Sequence, residues 1–313
     1  MRAMLDAPAP LRLAALVTLG VVSLLAACSD SSGDGLARPS GSSGASGSSG
    51  DPPDADGGSS GASSSGATSS GATSSSGATS SSGGPGALAA GKTTRTITAG
   101  GKSRTYVLVA PPAVATGKLP LVVALHGNGD QAQNFLTATG LEAQAAALGY
   151  IVAAPQGQSQ QITIGQQTIN VDWDAYRTPA QGNIDTPLLD AIVAELVQTG
   201  SVDTQKVSVY GYSQGGYLSF RWGMEASAKL SCAAVGAAAS PGGSQLSAAA
   251  ARKIPVSLQI GTGDSALANA RSTKADLEGK GFPVDYREIQ GAGHVPYPGD
   301  PKLPLQYCLS KSL

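Results

Sequence analysis

Lys206-Val207-Ser208-Val209-Tyr210 runs without a break into Gly211-Tyr212-Ser213-Gln214-Gly215-Gly216. The first five residues carry β-branched and aromatic side chains and read as a strand. Gly215–Ala228 reads as a helix. Between them Ser213 stands on a turn with Gly two positions to either side, the G-x-S-x-G pattern in the strand–turn–helix context that a nucleophile elbow requires. The glycines leave room where side chains would meet neighbouring backbone. The dipole of the following helix favours negative charge developing at the turn. A plain Gly/Ser turn is the simpler reading, and the strand and helix on its two sides count against it.

Working outward, Thr93–Thr98 and Arg104–Ala110 are β-rich runs around Ala99-Gly100-Gly101-Lys102, a hairpin signal. Leu119–Leu125 is almost wholly apolar, as a strand buried on both faces should be. Gln131–Leu148 reads as a helix, Tyr150–Ala154 as a strand and Gln156–Gln181 as a long loop. Ile184–Gln198 places Ile184, Leu188, Ile192 and Leu196 on one helical face. Cys232–Ala238, Val256–Ile260 and Val284–Ile289 are further expected strands, with a helix at Ala266–Glu278. This alternation predicts an α/β fold, a mostly parallel central sheet with helices on both faces. The leading hairpin adds a mixed edge.

The chain has two His among its 313 residues. Each follows an expected strand, where open α/β sheets build their sites. His294 closes Gly291-Ala292-Gly293-His294 and is the candidate base. His126 opens His126-Gly127-Asn128-Gly129 and reads as part of an oxyanion loop. There the backbone N–H groups of Gly127 and Asn128, with that of Gln214, would face a carbonyl oxygen gaining charge. For His126 a purely structural place in the core is the competing reading. Asp264, after Gly261-Thr262-Gly263, is the candidate acid, although an Asp in a Gly-rich loop also serves as a turn former. Asp276 and Asp285 fall inside expected elements, and Asp300 follows His294. The order Ser213, Asp264, His294 is that of the α/β-hydrolases.

Taken together, Leu125-His126-Gly127-Asn128-Gly129, Tyr210-Gly211-Tyr212-Ser213-Gln214-Gly215-Gly216, Gly261-Thr262-Gly263-Asp264 and Gly291-Ala292-Gly293-His294 resemble the polyhydroxybutyrate depolymerase and feruloyl esterase-like group of α/β-hydrolases. The similarity runs from about Thr105 to His294. It implies carboxyl-ester hydrolysis through an acyl-serine, with neither a metal nor an organic cofactor, on a small-molecule or oligomeric ester of feruloyl, acetyl or short hydroxyacyl type. No stretch resembles a polymer-binding module. The rivals are a serine peptidase on the same fold and a non-catalytic surface-binding lipoprotein. His126, Trp173 and Tyr212 are candidate substrate contacts, with packing of its loop as the alternative for Trp173 and packing beside the elbow as the alternative for Tyr212.

The N-terminal part has a different composition. Arg2 and Arg12 precede an apolar or small run, Leu13–Ala27, of signal-peptide length and too short to span a bilayer. Leu25-Ala26-Ala27-Cys28 resembles a bacterial lipobox, which makes 1–28 a lipoprotein signal and Cys28 the lipidated residue. Residues 29–86 hold 15 of the 42 Gly and 22 Ser, with no aromatic residue before Tyr106. Such a stretch has too little to bury to offset its ordering entropy and reads as a tether. Residues 87–313 form the expected catalytic domain, large enough for one hydrophobic core.

That domain carries 17 Lys+Arg against 15 Asp+Glu, no basic field for a polyanion, which argues against a nucleic-acid partner. The expected place is an exported lipoprotein, periplasmic or on the outer-membrane surface, touching the membrane only through its lipid anchor. In that oxidising compartment Cys232 and Cys308 make either a disulfide or a pair of buried thiols.

Overall fold

The computed structural model describes residues 86–313 apart from Pro298. The signal segment, Cys28 and the tether as far as Pro85 lie outside the described residues. Seventeen regular elements follow in the order β1 (Gly91–Ala99), β2 (Lys102–Ala110), β3 (Leu119–Leu125), α1 (Ala132–Ala138), α2 (Leu141–Leu148), β4 (Ile151–Pro155), β5 (Gln160–Ile164), β6 (Gln167–Val171), α3 (Asp185–Gln198), β7 (Val202–Tyr212), α4 (Gln214–Glu225), β8 (Cys232–Gly236), α5 (Ser244–Ala249), β9 (Val256–Gly261), α6 (Leu267–Gly279), β10 (Val284–Ile289) and α7 (Lys302–Leu309). Short 3-10 turns occupy Pro112–Ala115 and Pro179–Gln181.

One eight-stranded sheet has the order β1-β2-β4-β3-β7-β8-β9-β10. The pairs β1–β2 and β2–β4 are antiparallel, and every other pairing in this sheet is parallel. After β3 the chain goes to one side, to β4, and later returns to the other side, to β7. The crevice at the carboxyl ends of β3 and β7 is therefore the topological switch point, where open α/β sheets bind ligands.

β3 shows why the sheet is covered on both faces. Its side chains alternate. Leu121, Val123 and Leu125 enter a core shared with Leu188, Ile192 and Leu196 of α3 and with Leu218 and Trp222 of α4. Val122 and Ala124 enter a second core with Phe135, Leu136, Leu141 and Tyr210. All five of these β3 residues are fully buried. α7 closes the second core through Leu305 and Cys308. Cys308 is disulfide-bonded to Cys232 at the start of β8, with Cα atoms 5.3 Å apart.

Three expectations are corrected. The helix over Gln131–Leu148 is two helices, because Gly140 adopts a left-handed backbone (φ 65°) that a continuous helix cannot contain. The long loop contains the β5–β6 hairpin, turned at Gly165-Gln166. Ile162-Thr163-Ile164 and Thr168-Ile169-Asn170-Val171 carried a strand signal, diluted by Gln and by the burial of little more than Ile162 and Val171. α5 and α7 stand where no helix was expected. Leu119–Leu125 and Val284–Ile289 match their strands end to end.

Candidate active site

Ser213 sits between β7 and α4 with φ 52° and ψ −121°. A non-glycine residue at positive φ costs on the order of 1–3 kcal/mol and persists only where its surroundings impose it. Here the Ser213 N–H donates to the Gly236 carbonyl (2.9 Å), and the Ser213 carbonyl accepts from the Tyr217 N–H (2.9 Å). The turn also needs small neighbours. A Cβ on Gly211 would lie 2.2 Å from the Gly215 carbonyl oxygen, and one on Gly215 would lie 2.4 Å from the carbonyl oxygens of Leu125 and His126. The elbow is thereby pressed against the end of β3.

The Ser213 hydroxyl is 2.8 Å from His294 Nε2, and His294 Nδ1 is 2.8 Å from Asp264 Oδ2. With the hydroxyl donating to Nε2, the Nδ1 proton faces the carboxylate, which selects the tautomer of a general base. The Asp264 side chain is fully buried, whereas His294 keeps 31% of its side-chain surface. Asp264 Oδ1 accepts from the Ala266 N–H at 2.8 Å, so both carboxylate oxygens are held. The loops bearing the acid and the base are joined: the Gly263 N–H donates to the Ala292 carbonyl and the Gly291 N–H to Thr262 Oγ1.

Sequence reasoning missed Tyr297. Its ring is buried and stacks on Tyr210 with centroids 4.0 Å apart. Its hydroxyl donates to the Gly211 carbonyl at 2.7 Å. The segment following His294 is thus anchored to the nucleophile strand. Nothing local in Val295-Pro296-Tyr297 signals this, because the partners lie 86 residues away.

Gly127 lies beside the nucleophile: a methyl group there would be 3.6 Å from Ser213 Cβ. Gln214 opens the 12-residue helix α4, whose first amides have no intrahelical acceptor. Gly127 and Gln214 thus flank Ser213, and Asn128 is tied through its side-chain oxygen to the Asp172 N–H.

The expected substrate contacts divide differently. His126 and Trp173 are fully buried, which removes both from direct contact with a substrate. The Trp173 indole N–H donates to the His126 carbonyl at 2.9 Å, and the rings lie 5.0 Å apart. His126 Nε2 accepts from the Gly157 N–H (2.9 Å) while Nδ1 faces the Gly127 carbonyl (2.7 Å). Burial pushes the imidazole pKa down, and with Nε2 accepting the Gly157 N–H His126 is a buried strut of the Gly127–Gly129 loop. Tyr212 is half-buried, with its ring against Gly127 and its hydroxyl donating to the His294 carbonyl at 3.1 Å. It braces the Gly127 loop against the loop of His294.

A buried polar network fixes the loop carrying Trp173. Asp185 receives Arg104 Nη1 (3.0 Å), Gln160 Nε2 (2.9 Å) and the Asp174 N–H (2.7 Å). Burial pushes the Asp185 carboxyl up, and the Asp174 N–H and the Arg104 cation oppose that shift. From α4, Arg221 donates to the carbonyls of Ala175 and Tyr176. Among the described residues no group of three or more His, Cys, Asp or Glu could hold a metal ion.

With this geometry in place, similarity to known proteins fixes the class. Residues 109–276, more than half of the chain, match the phospholipase/carboxylesterase family. The chain belongs to that family and has the α/β-hydrolase fold. The matched span includes Ser213 and Asp264 and stops short of His294. Among individual relatives, the chain is 30% identical over 140 residues to NocK of Nocardia uniformis subsp. tsuyamanensis, named as an esterase, covering 42% of this chain and 37% of NocK. It is 32% identical over 114 residues to the hydrolase LUC6 of a Fusarium species, covering 36% of this chain and 25% of LUC6. The matches thus span little more than a third of NocK and a quarter of LUC6.

Two solved structures share the fold. The serine hydrolase FphF of Staphylococcus aureus has a TM-score of 0.56 at 12% identity, covering 70% of this chain and 98% of FphF. A ferulic acid esterase has a TM-score of 0.53 at 16% identity, covering 70% of this chain and 97% of its own.

Proposed function

We propose that the protein is an exported, lipid-anchored serine esterase that hydrolyses feruloyl, acetyl or short hydroxyacyl esters through an acyl-serine. The observation that carries the reaction is the unbroken chain from Ser213 Oγ through His294 to Asp264, each link 2.8 Å, on an elbow at positive φ. Ser213 Oγ attacks the ester carbonyl carbon as His294 Nε2 takes its proton. The carbonyl oxygen becomes an oxyanion facing the Gly127, Asn128 and Gln214 amides. Collapse breaks the bond to the alkoxy oxygen, which leaves as the alcohol with the proton from His294. Water then attacks the acyl-serine, gives one proton to His294, and releases the acid as Ser213 regains its proton. Asp264 orients the imidazole throughout and stabilises its cation.

The substrate class rests on the resemblance at the four motifs. A panel of p-nitrophenyl acetate, a 3-hydroxybutyrate ester, methyl ferulate and a peptide p-nitroanilide tests it. Turnover of at least one ester with no release from the anilide is expected. Cleavage of the anilide at comparable kcat/KM would make the enzyme a peptidase instead.

The anchor rests on the sequence around Cys28. In a bacterial host fed a clickable palmitate, the full chain should carry label and the Cys28→Ala chain none. Label on the Ala variant would contradict the lipobox reading.

A further inference from the structure

Asp172 follows directly on β6 and touches both parts of the oxyanion site. Its carboxylate Oδ2 accepts the Gly129 N–H at 2.6 Å. Its own N–H reaches Gln214 Oε1 at 2.8 Å and Asn128 Oδ1 at 3.1 Å. The next N–H, of Trp173, also donates to Gln214 Oε1, at 2.9 Å. One residue thereby links the loop that carries the Gly127 and Asn128 amides to the side chain of the residue that supplies the third amide.

Asp172 is itself held from behind. Its carbonyl accepts the Gln158 N–H at 3.1 Å. Gly157 lets it come close, since a Cβ there would be 3.0 Å from both Asp172 Cβ and the His126 ring. Asp174, two residues on, is tied to Arg177, and Asp185 to Arg104. The carboxylate of Asp172 is thus held from behind while it accepts from the loop. Gly129 has φ 75° and is exposed, so its backbone is permissive and has little packing of its own.

We propose that Asp172 is a positioning residue: its carboxylate, through the Gly129 N–H, holds the Gly127–Asn128 amides where the oxyanion forms. This rests on the ester-hydrolysis reading of the same site. Preorganised donors act in the transition state more than in the ground state, so losing their alignment lowers kcat more than it raises KM. The Gly129 N–H released by the change is exposed and can turn to water, so stability should hardly move.

The test uses the full chain and a fluorophosphonate probe beside ester turnover. In phosphonylation Ser213 Oγ forms the P–O bond as the P–F bond breaks. Fluoride leaves, the Ser213 proton passes to His294, and the phosphoryl oxygen occupies the oxyanion site. Asp172→Ala should slow both kcat and phosphonylation by roughly 30-fold per titrated active site, with KM within about twofold and the melting midpoint unchanged. Asp172→Asn, which keeps an acceptor for Gly129, should recover most of both rates. Equal phosphonylation of wild type and Asp172→Ala would overturn the proposal. So would equal losses in the Ala and Asn variants, or an Ala variant that does not fold, because the residue would then be holding the domain and not the loop. A wild type that phosphonylates at Ser213 but cleaves no ester would count against the ester reading alone.

Discussion

Ser213→Ala should lose about 10⁶-fold in kcat on any ester the wild type turns over, roughly 8 kcal/mol of transition-state stabilisation. The variant keeps its amides and can bind substrate, so KM should change little. His294→Ala should lose a similar amount, because without Nε2 the hydroxyl 2.8 Å away keeps its proton and is a poor nucleophile. Asp264→Ala should lose less, about 10⁴-fold, since the imidazole remains but its tautomer is no longer imposed. The double variant Ser213→Ala/His294→Ala should be no slower than either single one. Groups that act as a unit are grossly non-additive, and additive losses would mean that Ser213 and His294 do not share one proton transfer. Initial rates on p-nitrophenyl acetate, with each variant checked by its thermal midpoint, read all four.

The second large effect concerns stability. Removing the Cys232–Cys308 bridge by Cys232→Ala/Cys308→Ala frees a loop with a sequence separation of 76 in the unfolded chain. On chain-entropy grounds such a bridge contributes about 4.5 kcal/mol. For a domain of this size that corresponds to a drop in Tm of roughly 10–15 °C. Both sulfurs are buried, and the bridge joins α7 to β8 beside the Tyr210–Tyr297 stack. Tyr210 also donates to the Pro301 carbonyl at 3.0 Å, a bond the double variant retains. At temperatures well below the new midpoint, kcat should therefore stay near wild type. Chemical denaturation measures the loss. A change under about 1 kcal/mol would show that α7 is held by its packing and that the bridge adds almost nothing.

Much of this site was legible because its parts obey local rules. The elbow needs glycines on both sides of Ser213, and the clashes a Cβ would meet at Gly211 and Gly215 show why. A strand buried on both faces reads as an apolar run, so Leu119–Leu125 was legible end to end, whereas the half-buried edge strand Val284–Ile289 carries its signal in Val284, Tyr286 and Ile289. With two His in the chain, the elimination that led to His294 was short.

The remainder depended on contacts distant in sequence. For Trp173, a large aromatic on a loop, a substrate contact and simple packing of the loop were both open, and the structure has it packed. Its burial follows from Arg104, Asp185 and Arg221, which arrive from three other elements and draw that loop inward. For His126 a structural place in the core competed with a role at the oxyanion loop, and the Gly157 N–H and the Trp173 indole enclose it. Tyr297 and Asp172 had no local signature, since the groups they hold are 86 and 43 residues away. Sequence periodicity reports which face of an element is buried and is silent on which loop a buried polar side chain will bridge.

The most direct test of Ser213 as the acyl carrier is rapid acid quenching during turnover of p-nitrophenyl acetate, followed by mass spectrometry of the peptide bearing Ser213. One acetyl group on Ser213, absent from the Ser213→Ala variant and formed at least as fast as steady-state turnover, is the expected result. Steady turnover with no acyl group on Ser213 at any quench time, or with the acyl group on another residue, would contradict it.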